Sequence, residues 1–256
     1  MVAAAKLLRL AGRRRSGRFL AEGPNLVEAA LRRGLVCEVF ATETAYERFG
    51  ALLADAPVTL VTERAAKALS ETVTPVGLVA VCETPEASLG EVLAAGPRLV
   101  AVAVELSEPG NAGTLIRTAD AMGADAVVMA GHSVDPYNGK CLRSSAGSIF
   151  SIPVVHGVDA AEAVARLREA GLQVLATTLD GEVSLDSPEF QADLSGPTAW
   201  LFGPEAHGLP DELTRAATHR VHIPMPGSAE SLNVATAAAI CLYQSAAAHR
   251  RNSAGT

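Results

Sequence analysis

No apolar run in this 256-residue chain is long enough to cross a bilayer, although hydrophobic residues make up 49% of it. A soluble protein with a sizeable buried core is expected, and no membrane partner. Cysteine is sparse: Cys37, Cys82, Cys141 and Cys241 are far apart, with no CxxC and no matching histidine pair. That pattern speaks against a zinc site or a disulfide framework and for core thiols in a reducing, cytoplasmic compartment. There is no HExxH. Val134 and Cys141 stand where a Walker loop ending in Gly139-Lys140 needs Gly and Ser/Thr. Asp135 occupies the second glycine position of a nucleophile elbow at Ser133. The run Glu108–Gly113 has two glycines but not GxGxxG, so a dinucleotide site is weakly supported. The basic N-terminus carries too short and too interrupted an apolar stretch for a secretory signal. No repeat of fixed period is present.

Charge is what the chain distributes unevenly. The net charge is −7, yet residues 1–33 carry eight basic and two acidic side chains, +6, leaving −13 elsewhere. Such a patch on an acidic protein attracts phosphates locally without coating the whole surface. The alternative for the Arg13–Arg18 cluster is a solvated, partly disordered terminal arm.

The pattern along the chain divides it into two units, residues 1–90 and 97–252. In the first, strands over 18–23, 35–42, 57–62 and 77–84 alternate with helices, predicting a small α/β domain with a largely parallel sheet. Residues 85–97 read as a linker with a turn or two of helix. The second unit opens on RLVAVAVEL (98–106), a β-branched run suited to a strand covered on both faces. Further strands near 125–130, 151–155, 172–178, 198–203 and 220–224 alternate with helices near 111–122, 141–146 and 160–170, a short one from Pro210, and a last one over 232–249.

Three strand-end loops concentrate polar side chains and small residues, where open α/β sheets bind ligands. Asn111, Gly113 and Arg117 form N-x-G-x-x-x-R; Gly203, Glu205 and Gly208 form G-x-E-x-x-G; Ser231-Leu232-Asn233 follows Ile223-Pro224-Met225. In order and spacing these resemble the three motifs of the SpoU/TrmH branch of the SPOUT RNA 2′-O-ribose methyltransferases. The likeness runs from about Leu99 to His249, including Lys140–Pro153. FLAEGPNLVEA in the first unit resembles the ribosomal-protein-like domain fused ahead of that fold.

The resemblance implies an α/β SPOUT fold with a C-terminal trefoil knot, preceded by the small ribosomal-protein-like domain, and a homodimer. It implies S-adenosyl-L-methionine as cofactor, held by Thr177, Leu201, Gly203, Gly208, Ile223, Met225 and Leu232, and no metal. The implied reaction is methylation of a ribose 2′-hydroxyl, with ribosomal RNA favoured over tRNA as partner. Arg117 engages the hydroxyl in that scheme. Asn111 holds Arg117 or the ribose, Glu205 pairs with Asn111, Arg117 or the loop backbone, and Ser231 and Asn233 order the last loop. Arg13, Arg14, Arg15 and Arg18 are expected to meet RNA, and Arg143 to meet RNA or act across the dimer. Two other readings stand beside this one: a non-catalytic RNA-binding, ribosome-assembly protein of the same fold, and a Rossmann-type dehydrogenase.

Overall fold

The computed structural model describes residues 1–204 and 206–254. Its chain begins with α1 (Val2–Ala5), a 3-10 turn over Lys6–Leu8, and α2 (Leu10–Ser16). The basic terminus is folded and not a loose arm, because Ala4 and Leu7 are buried in a cluster with Leu20, Phe40, Leu69, Val79 and Val81. Then follow β1 (Arg18–Glu22), α3 (Pro24–Arg32), β2 (Val36–Ala41), α4 (Glu43–Phe49), β3 (Val58–Leu60), α5 (Glu63–Lys67) and β4 (Leu78–Glu83). Pro24 opens α3, where its missing N–H would have had no helical partner. Thr42 and Thr62 cap α4 and α5 by accepting from the backbone N–H of Ala45 and Ala65.

The first sheet has the order β1-β4-β2-β3 and is not largely parallel, as the alternation predicts. Only β2 and β3 run together; β4 lies antiparallel between β1 and β2. The physical reason is α5. Its five residues rise about 7 Å, too little to carry the chain back along a six-residue strand of about 20 Å. The chain turns through the following loop and returns in the opposite sense.

The linker contains α6 (Leu89–Ala94), opened by a capping box: the Ser88 hydroxyl accepts from Glu91 N at 3.2 Å and the Glu91 carboxylate from Ser88 N at 3.0 Å. Beyond it come β5 (Leu99–Val104), α7 (Pro109–Ala121), β6 (Ala126–Ala130), α8 (Gly139–Ser145), β7 (Val154–Val158), α9 (Ala160–Glu169) and β8 (Gln173–Thr177). The chain continues through β9 (Val183–Ser184), α10 (Pro188–Asp193), β10 (Thr198–Phe202), α11 (Asp211–Ala216), β11 (His219–His222) and α12 (Val234–Ala254). The sequence pattern shows neither β9 nor α10; a two-residue strand has no period to read. Where it predicts a strand from Ser151, the strand starts at Val154, after a 3-10 turn over Ser148–Phe150.

These strands form a seven-stranded sheet, β7-β6-β5-β10-β8-β11-β9, in which every pairing is parallel. Alternate residues of β5 face opposite ways, as strand geometry requires. Leu99, Ala101 and Ala103 join a core with residues of α7, α8 and α12, while Val100, Val102 and Val104 join another with α6, α9 and α11. Trp200 is fully buried in the first of these, and its indole N–H donates to Ser245 Oγ at 2.9 Å. That same core takes in the first sheet. The ring of Phe19 lies 5.0 Å from that of Tyr137 and 5.8 Å from that of Phe150. The two sheets therefore share buried apolar contacts worth about 2 kcal/mol per large side chain.

Candidate active site at the strand ends

The C-terminal ends of β8, β10 and β11 surround a cavity. Six of the seven residues predicted to hold a cofactor line it: Thr177, Gly203, Gly208, Ile223, Met225 and Leu232, together with Ser231. Leu201 does not. It lies inside β10 with its side chain in the second core, and contributes only its carbonyl, which accepts from the Thr177 hydroxyl at 2.8 Å. Gly203 is required by a close approach: a Cβ there would come 2.6 Å from Leu209 N. Gly208 has φ 67°, the left-handed region that suits glycine. Glu205, between them, lies outside the described residues. Phe202, Val221 and Thr178 also line the cavity and went unread in the sequence. The hydroxyl oxygen of Thr178 is buried there with no hydrogen-bond partner. An apolar cavity with an unpaired hydroxyl and close main chain suits an adenosine-bearing ligand, and these residues fit S-adenosylmethionine on that ground.

Beside the cavity, two helix starts meet. Glu108 caps α7 by accepting from Asn111 N at 2.6 Å, and its other oxygen takes the ammonium of Lys140 from the first turn of α8. That hydrogen bond from Lys140, with the one from Asn111, holds the Glu108 carboxyl below its ordinary pKa. Asn233 caps α12, its Oδ1 accepting from Ala235 N at 3.0 Å and Thr236 N at 3.3 Å. Its Nδ2 donates to Asn111 Oδ1 at 3.0 Å. Asn111 is thus bound to Asn233 and not to Arg117. Arg117, less than two turns further along α7, is exposed, and its guanidinium makes no hydrogen bond or ion pair among the described residues. Gly113 lets α7 lie directly on α8: a Cβ there would sit 2.4 Å from the Cys141 carbonyl oxygen and 2.6 Å from Ser144 Cβ.

The predicted RNA-facing arginines divide. Arg14, Arg15 and Arg18 are exposed, Arg18 lying 3.9 Å from the Glu83 carboxylate. Arg13 is a correction: its side chain is only 9% exposed and its Nε donates to Asp135 at 2.6 Å. Its Nη1 donates to the carbonyls of Leu7 and Leu8 at 2.8 and 3.1 Å. Being inward on α2, it ties the N-terminal helices to the loop before α8. Arg143, on α8, lies 3.8 Å from Glu22 of β1 and is about one-third exposed.

Other chemistries find little purchase. Burial pushes the thiols of Cys82 and Cys141 up to about 12, so neither supplies a thiolate near neutral pH. Among the described residues no group of three or more His, Cys, Asp or Glu is placed to hold a metal, and no helix is long and apolar enough to cross a membrane.

Comparison with known proteins agrees with this geometry. Residues 98–243 match the SpoU rRNA Methylase family, and residues 3–80 match the MRM3-like substrate binding domain. The chain is 38% identical over 232 residues to the 23S rRNA (guanosine(2553)-2′-O)-methyltransferase RlmP of Bacillus subtilis, covering 90% of this chain and 89% of that one. It is also 38% identical over 173 residues to the 23S rRNA (uridine(2479)-2′-O)-methyltransferase of Streptomyces viridochromogenes, covering 66% and 60% of the two chains. Among solved structures, the SpoU methyltransferase AviRb from Streptomyces viridochromogenes in complex with AdoMet aligns at TM-score 0.82 and 31% identity, covering 98% of this chain and 97% of that one.

Proposed function

The chain belongs to the SpoU rRNA methylase family, and on that premise we propose that it transfers a methyl group from S-adenosylmethionine to a ribose 2′-hydroxyl of ribosomal RNA. One observation carries the reading. Segments more than a hundred residues apart converge where the Asn111–Asn233 bond adjoins a cavity at parallel strand ends. Relatives matched through both units, such as the Bacillus subtilis protein, are named for 23S rRNA, which favours ribosomal RNA over tRNA.

When bound, S-adenosylmethionine supplies a methyl carbon already activated by its sulfonium. The task left to the protein is to hold a weakly nucleophilic hydroxyl in line with that carbon. Thr177, Gly203, Gly208, Ile223, Met225 and Leu232 hold the cofactor, with the carbonyl of Leu201 fixing Thr177. Arg117 meets the 2′-hydroxyl. A guanidinium stays charged at any working pH, so its part is to donate to the oxygen and stabilise the negative charge that grows there as the hydroxyl proton passes to water; the oxygen gains the methyl carbon as that carbon's bond to sulfur breaks. Asn111 and Asn233 set the helix carrying Arg117 against the last loop, which Ser231 lines. Glu205 acts in the middle loop.

Residues 1–90 form the RNA-recognition unit and 97–252 the methyltransferase unit. Arg14, Arg15 and Arg18 meet phosphates, and Arg143 meets RNA or a second copy of the chain. We place a trefoil knot in the C-terminal unit. Its support is the strand order, in which β10 returns to fill the place between β5 and β8 before β11 crosses to the far side of β8. We also propose a homodimer; its support is that Arg117 stands exposed, while Leu179 at the cavity and Tyr243 on α12 are 69% and 54% exposed. The location is the cytoplasm.

The test is transfer of labelled methyl from S-adenosylmethionine to ribosomal RNA, with mapping of the 2′-O-methyl nucleotide. Arg117→Ala is expected to lower kcat at least about a hundredfold with cofactor affinity unchanged. Full activity in that variant would remove the assigned role.

A further inference from the structure

Thr178 follows the last residue of β8 and lines the cavity beside Phe202, Val221 and Ile223. Its backbone N–H is engaged, donating to the Val221 carbonyl at 3.0 Å. Its hydroxyl is not: among the described residues it is the one buried side-chain polar atom without a hydrogen-bond partner. Other buried hydroxyls find partners nearby. Ser145 donates to the Leu142 carbonyl, Thr198 to the Gly196 carbonyl, and Ser245 accepts from Trp200. A hydroxyl removed from water with nothing in exchange opposes folding, and such a group in a native protein marks stored strain, a catalytic role or a bond that another molecule completes.

We propose that Thr178 is a cofactor-binding residue whose hydroxyl hydrogen-bonds the polar edge of the adenine ring. The inference rests on the S-adenosylmethionine reading of this cavity. Adenine is favoured over the methionine portion because no described residue lining the cavity is charged. An ammonium and a carboxylate placed there would lose hydration without an ionic partner, whereas a neutral ring can lie between the apolar walls. A threonine hydroxyl both donates and accepts, so it can serve either kind of nitrogen on the ring edge. One side-chain torsion sets its direction, so meeting a ligand needs no change in the backbone.

Two readouts with opposite signs test this. Binding of S-adenosylmethionine and of adenosine is measured calorimetrically for the wild type, Thr178→Val and Thr178→Ser, alongside thermal melts of the ligand-free proteins. Thr178→Val keeps the shape and removes the orphan group. It should melt no lower than wild type while binding both ligands about three- to tenfold more weakly. Thr178→Ser keeps the hydroxyl and should stay within about twofold. Wild-type affinity in Thr178→Val would overturn the proposal, as would a loss of affinity accompanied by a lower melting temperature. A loss confined to S-adenosylmethionine and absent for adenosine would overturn the assignment to adenine. Failure of the wild type to bind S-adenosylmethionine would sink the cofactor reading itself, a result distinct from all of these.

Discussion

Asn233 and Asn111 are joined by a 3.0 Å side-chain hydrogen bond that ties the cap of the last helix to the first turn of α7, 122 residues earlier. The cap and the tie use different atoms of Asn233, so they can be separated. Asn233→Asp keeps the Oδ1 that caps α12 but loses the Nδ2 that reaches Asn111. It should retain most of the stability and lose activity. Asn233→Ala loses both functions and should cost about 1–2 kcal/mol, or a few degrees in Tm. Melting curves beside methyl-transfer rates decide; an active Asn233→Asp would make the tie dispensable.

Neighbouring arginines should behave oppositely. Arg13→Met leaves Asp135 without its buried partner and should cost about 3 kcal/mol, visible as a lower denaturant midpoint. Arg14→Ala and Arg15→Ala should change stability by less than about 0.5 kcal/mol. Each should instead weaken RNA binding and flatten its dependence on salt by about one unit of slope. An unchanged salt slope in the Arg14→Ala, Arg15→Ala double variant would take α2 out of the RNA contact.

Gly113→Ala places a methyl against the backbone of α8, which has no flexible end to yield. The helices must separate, at a cost of about 1–3 kcal/mol. Because α7 carries Arg117, kcat should fall more than cofactor affinity. Calorimetric binding with single-turnover rates separates the two, and a fall in affinity alone would contradict the coupling.

Acid should loosen the start of α7. The folded-state pKa of Glu108 lies below its ordinary value, chiefly through Lys140 and then through the backbone of Asn111. Its contribution is therefore fully present above the ordinary carboxylate range and disappears as pH falls through the lowered value. Urea midpoints should drop below about pH 4 in the wild type and drop less steeply in Glu108→Gln. Parallel curves would show that the carboxylate contributes nothing to that limb.

Much of this was legible in residues alone, and what escaped did so for physical reasons. A β-branched run such as Leu99–Val104 has few alternatives to a doubly covered strand, and the helix expected near 111–122 forms, opening two residues earlier at Pro109. The motif residues Gly203, Gly208 and Ser231 pointed to the place of the cavity because small and polar residues collect at strand ends. Direction in the first sheet was hidden, since it depends on how far a five-residue helix carries the chain. Arg13 and Arg14 look alike in sequence, but about 100° of helix rotation turns one inward and the other out. Thr178 gave no sign, because a hydroxyl lacks a partner only relative to the folded surroundings.

Phe19 of the first sheet packs against Tyr137 and Phe150, which lie on the segments before and after α8 of the second unit, so the seam between the units is filled with close-packed rings and not bridged by the linker alone. The basic face of α2 consequently stands at a set span from Arg117, and under the proposed function the two would act as the jaws of a caliper. Such a caliper would select the nucleotide that lies one jaw-width from the phosphates held by Arg14 and Arg15. Inserting residues into the 85–97 connection should leave the modified nucleotide unchanged, whereas shaving the Phe19 ring to alanine should loosen the jaws and scatter methyl groups over neighbouring riboses.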